Sequence, residues 1–151
     1  METVKHYLTM GLLFISLFTV ALFSLELFEG RKISTTLYVG LNNGGFSLML
    51  VLSLLLGFVI FLFIFLPLTF ILDKFLPSFL IKLIVFSAIG CLGGIGVFNM
   101  MYGFQGGYLI TEYDLNINSS ILIFGLAGLS YALFGHHLKK RTQSSKKCST
   151  S

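Results

Sequence analysis

The sequence predicts an all-α integral membrane protein, a bundle of four helices, on three observations. Residues 7–25, 33–72, 83–111 and 115–135 contain no Asp, Glu, Lys or Arg. Nearly all the charge is sorted into the gaps between those stretches. With 56% hydrophobic and only 11% charged residues in 151 positions, there is too little polar surface to clothe a soluble domain of this size. Each uncharged stretch exceeds the ~18 residues at which a bilayer crossing becomes the default, since a helix rising ~1.5 Å per residue needs ~20 of them to cover ~30 Å of hydrocarbon. No water in that layer can satisfy backbone N–H and C=O groups, so each crossing closes its own hydrogen bonds as a helix.

The first span is expected over residues 7–26. The head that precedes it carries Lys5 and His6, as a signal peptide would, but the apolar part is long and no small-x-small cleavage site follows. A retained span is therefore the better expectation, with Ser24, Leu25 and Glu26 as its exit to the interface. Glu29, Gly30, Arg31 and Lys32 make a charged turn; residues 33–39 are rich in β-branched types and suggest a short extended piece, which Asn42, Asn43, Gly44 and Gly45 end.

The second span, residues 46–72, is apolar on every side and holds six phenylalanines, the pattern of a helix exposed to lipid. Pro67 removes one backbone donor and crowds the carbonyl of Phe63, which predicts a kink that Thr69 or a neighbouring helix relieves. Residues 73–78 form a tight connection, with Ser78 placed to cap the third span over residues 79–101. The glycine-rich segment 103–107 ends that span. Tyr108, Glu112, Tyr113 and Asp114 lie in the longest polar connection between spans, and Asn118, Ser119 and Ser120 offer caps for the fourth, residues 121–138. A basic tail, residues 139–151, has the Lys/Ser/Thr composition of a disordered segment.

An even number of crossings puts both termini and the middle connection on one side. That side holds Lys5, Lys74, Lys82, Lys139, Lys140, Arg141, Lys146 and Lys147, against only Arg31 and Lys32 on the other. The positive-inside rule then predicts cytoplasmic termini, with Glu26, Glu29, Glu112 and Asp114 facing outward; Glu26 and Glu29, like Asp73 and Lys74, mark span boundaries, and Glu112 and Asp114 make at most a weak cation site. The sequence pI near 9.2 is explained by this orientation and by anionic lipid at the tail, without nucleic acid as a partner.

Small residues define the expected packing. Gly90 and Gly94 are spaced to admit another backbone, and Gly125, Gly128 and Ala132 share a face of the fourth span, so the third and fourth spans are expected to pack there. Gly93 and Gly96 add to the same glycine-rich helix. A dimer seam or a transporter hinge is the functional alternative. Asn99, the strongly polar side chain well inside an apolar run, is expected to bond to a neighbouring helix.

No ionisable residue falls at an expected midplane, which argues against a proton-coupled pump. His136 and His137 point about 100° apart on a helix and make a poor chelate. Cys91 and Cys148 give neither a disulfide framework nor a metal spacing. Cys148 to Ser151 has the frame of a prenylation box but polar central positions, and the Asn118 sequon lies too near the membrane for use. No nucleophile with a base, no carboxylate pair and no phosphate-binding glycine loop stand together, so neither catalysis nor a cofactor is expected.

At Leu66, Pro67, Leu68, Thr69, Phe70, Ile71, Leu72, Asp73 and Lys74, a late proline followed by a hydroxyl and a boundary aspartate, the chain resembles small uncharacterised four-span membrane proteins of Bacillus-type bacteria. The resemblance covers about a third of the chain. It implies a bacterial plasma membrane and carries no activity and no functional residues with it. The function expected from the residues is a small accessory or interaction protein, with a membrane-protein partner or a homo-oligomer. The alternatives are a subunit of a small-solute transporter or channel, and an immunity protein against a membrane-active toxin.

Overall fold

The computed structural model describes residues 2–34, 45–75, 78–103 and 107–148. All its elements are helical, and it is an all-α bundle of four long helices. Helix α1 (Glu2–Phe28) is followed by a 3-10 turn (Gly30–Lys32). Helix α2 (Phe46–Ile60) runs through a π turn (Phe61–Phe65) into α3 (Leu66–Phe75), so that the three form one continuous rod. Helix α4 (Phe79–Tyr102), the short α5 (Tyr108–Glu112) and α6 (Ile117–Cys148) complete the chain. The four stretches long and apolar enough to cross a membrane are Tyr7–Lys32, Phe46–Leu72, Phe79–Tyr102 and Ile117–Leu138. The extended piece expected over residues 33–39 falls, from residue 35 on, outside the described residues.

The helices alternate in direction. Gly11 and Gly57 set α1 antiparallel to the second rod, through Phe61 and Phe18 respectively. Met10 meets Gly135 at one end of α1, and Glu29 meets Ser119 beyond the other, so α6 also runs against α1. Gly90 faces Phe124 and Gly94 faces Ser120, so α4 and α6 are antiparallel too. The head, the α3–α4 connection and the end of the fourth span therefore share one face, here the terminal face. The end of α1, the start of α2, the end of α4 and the start of α6 share the far face. Packing passes from the second rod to α1, from α1 to α6 and from α6 to α4.

Just before Pro67, where a kink was expected, the helix carries a π turn. The N–H of Leu66 bonds to the carbonyl of Phe61, five residues back. Widening the turn by one residue gives the proline ring room against the preceding carbonyls, which is what its missing donor and bulky ring require. Thr69 donates its hydroxyl to the carbonyl of Phe65 at 2.6 Å.

Helix α6 departs from the expected limits at both ends. It starts four residues before position 121, because Asn116 accepts the N–H of Asn118 through Oδ1 at 2.9 Å and so caps the first turn. Ser119 and Ser120, expected as caps, bond elsewhere. At the other end α6 continues to Cys148, through most of the tail expected to be disordered. Lys, Arg and Gln are good helix formers, and extending an existing helix carries no nucleation cost. Ser78 holds the position before α4, but its side chain makes no capping bond.

Candidate functional site

The far end of α1 carries a polar cluster that the expected role of its acids as span markers missed. Glu26 and Glu29, expected simply to mark the edge of the first span, are 1% and 2% exposed. Glu26 accepts the hydroxyl proton of Tyr102, at the end of α4, with Oε2 at 3.0 Å. Glu29 accepts the Ser119 hydroxyl at 2.6 Å, the backbone N–H of Asn116 at 3.0 Å and the ammonium of Lys32 at 2.7 Å. The Lys32 ammonium also lies 3.5 Å from the Asp114 carbonyl. Two buried carboxylates thus clamp α1 to the ends of both α4 and α6. Burial is tolerable because the acceptors are filled: among the described residues no buried side-chain polar atom lacks a partner. A Cβ at Gly30 would collide with the Glu26 carboxylate, so glycine at the turn makes room for the acid beneath it. The signal that could have found the pair is spacing. Glu26 and Glu29 continue the face of Leu22 and Leu25, both buried, beyond the end of the apolar run.

The small residues bring α4 and α6 together. A Cβ at Gly90 or Gly128 would strike the carbonyl of Phe124 or Phe86, and one at Gly94 would lie 2.7 Å from the carbonyl of Ser120. A Cβ at Gly125 would lie 2.7 Å from the sulfur of Cys91. Ala132 is buried in the core. Two hydroxyls tie the same seam: Ser120 donates to the Gly94 carbonyl at 2.7 Å and Ser87 to that of Gly125 at 3.4 Å. In hydrocarbon such bonds contribute on the order of 1 kcal/mol each. Asn99 stands apart from the seam. Its side chain is exposed, and it lines a far-face pocket of about 430 Å³ with Lys32, Asp114 and Asn116. The reason is angular: five residues beyond Gly94, it points about 140° away from the α6 side. Asp114 takes a left-handed backbone at φ 47°, a conformation aspartate tolerates better than most.

Toward the terminal face, Tyr131 of α6 sits among rings. Phe14, Phe65 and Phe86 meet it edge-on at centroid distances of 5.8, 5.4 and 5.1 Å. Its hydroxyl lies 3.3 Å from that of Thr69. Because Thr69 gives its proton to Phe65, Tyr131 is the donor of the pair. Beside this knot a nearly apolar cleft of about 350 Å³ lies between the second rod and α4, with α1 and α6 as its floor. His136 and His137 are exposed, and His136 lies against Phe79 with ring centroids 4.3 Å apart. Among the described residues no three His, Cys, Asp or Glu side chains gather where they could hold a metal ion.

Comparison with known proteins finds no matching family model, no matching curated protein and no matching solved structure.

Proposed function

We propose that this multi-pass membrane protein is a small accessory protein of a bacterial plasma membrane, with cytoplasmic termini, that offers a rigid surface to a membrane-protein partner. One observation carries the reading: the bundle is fastened along its length. Backbone-to-backbone contact at Gly90, Gly94 and Gly128 closes α4 on α6, and the Glu26 and Glu29 bonds pin α1 across both. Alternating access needs one half of a transporter to rock against the other, and such fastenings oppose that motion. The basic residues of the head, the α3–α4 connection and the tail fit a cytoplasmic face against anionic lipid.

Affinity capture of the tagged chain from native membranes, after crosslinking, tests the proposal. The expected result is one discrete heterologous membrane protein in stoichiometric amount. A homo-oligomer with solute flux in vesicles would overturn it in favour of a transporter or channel subunit. That second reading is favoured by the far-face pocket, where Lys32, Asn99, Asp114 and Asn116 offer polar groups of both charges to a small solute.

A further inference from the structure

The apolar cleft between the second rod and α4 lies at mid-depth, flanked by Phe18 of α1 and Phe124 of α6. Ile64 and Leu92 line it and are 51% and 68% exposed, so it opens sideways between them toward the surrounding hydrocarbon. Gly93 also lines it, and a Cβ there would meet no atom within 4 Å. The opening is shaped by the π turn, which carries Phe65 inward while Ile64 stays at the rim. Such turns concentrate at functional positions.

We propose that this cleft seats an acyl chain of a membrane lipid. Size selects the occupant. An apolar cavity of about 150 Å³ accepts one benzene, so about 350 Å³ holds roughly a dozen carbon atoms, the scale of an alkyl chain. Polarity agrees. Tyr131 brings the one side-chain hydroxyl of the lining, and that hydroxyl is engaged with Thr69, so an unsubstituted chain fits where a polar group would lose its hydrogen bonds. The proposal goes beyond the accessory role and does not depend on any protein partner.

The test uses the full chain in detergent, titrated with a phosphatidylcholine bearing a diazirine at mid-chain, then irradiated and mapped by mass spectrometry. Labelling is expected to reach a plateau at one lipid per chain and to fall on peptides of the π turn and of α4 around Gly93. Gly93→Phe should reduce it roughly tenfold, the loss of about two buried methylenes of contact. Gly96→Phe, at a position that also has open space but lies outside the cleft, should leave it unchanged. Ile64→Trp at the rim serves as a second obstructing variant if Gly93→Phe does not fold. Labelling that rises without a plateau and spreads evenly over exposed helix faces would overturn the proposal, as would full labelling in both obstructing variants. A co-purifying protein segment crosslinked in the cleft in place of lipid would overturn it too.

Discussion

The hydroxyl of Tyr102 meets the carboxylate of Glu26 at 3.0 Å, joining the last residue of α4 to the far end of α1 across 76 positions of sequence. The link is sealed from solvent, since Tyr102 is 0% and Glu26 1% exposed. Removing either partner breaks a fully buried hydrogen bond, which makes the pair a sensitive probe of the bundle.

Tyr102→Phe should destabilise the protein in detergent by about 1–3 kcal/mol, the cost of leaving a buried acceptor short of a donor. Glu26→Leu combined with Tyr102→Phe should cost less than the sum of the two single changes, because each single change already removes the hydrogen bond the two share. Thermal unfolding followed by circular dichroism measures all three; strictly additive losses would show that the two side chains do not act together.

Gly30→Ala tests the space above the same acid. The added Cβ occupies the site of the Glu26 carboxylate, so the turn or the acid must move, at about 1–3 kcal/mol. The same substitution at Gly96, where the Cβ meets open space, should be within about 0.5 kcal/mol of the parent or slightly stabilising, since alanine is the better helix former.

The α4–α6 seam has a chemical readout. With Cys148 replaced by Ser, Gly125→Cys should form an intramolecular disulfide with Cys91 under mild oxidant, because the new Cβ lies 2.7 Å from the Cys91 sulfur. Adding Gly94→Leu should greatly slow that crosslink by forcing Ser120 and its helix away. Unchanged crosslinking would mean that α4 and α6 do not depend on the glycine contact.

The basic end of α6 should bind anionic vesicles in a salt-dependent way. Lys139, Lys140, Arg141, Lys146 and Lys147 together supply attraction of about 1 kcal/mol each near an anionic surface, screened within a Debye length. Replacing the five with Gln should weaken the preference of the purified chain for phosphatidylserine-containing over neutral lipid, leaving only the share that Lys5, Lys74 and Lys82 supply. Retention of that preference at high salt would contradict an electrostatic origin.

The legible parts of this chain are those governed by the bilayer. Uncharged stretches long enough to cross it, and the glycines Gly90, Gly94 and Gly128, could be read because hydrocarbon imposes helix and small residues permit close approach. The clamp could not. Whether Glu26 faces solvent or Tyr102 depends on a contact between residues far apart in sequence, and a carboxylate at the end of an apolar run looks the same in either case. Asn99 failed as a packing residue for a related reason: its depth was visible, but its angle around α4 relative to a distant helix was not. The start of α6 turned on which polar residue caps it. Asn116 took that place while Ser119 and Ser120 were drawn to Glu29 and Gly94.

Site-directed labelling on intact cells tests the central claim, that four antiparallel helices thread the membrane with head and tail together. With Cys91 replaced by Ala, and Cys148 by Ser except where it is itself the probe, single cysteines at position 5 (Lys5→Cys), at position 112 (Glu112→Cys) and at the native Cys148 are exposed in turn to a membrane-impermeant maleimide. The account predicts that Glu112→Cys reacts on intact cells, whereas the cysteines at 5 and 148 react only after the membrane is opened. Reaction of one terminus but not the other in intact cells would contradict it.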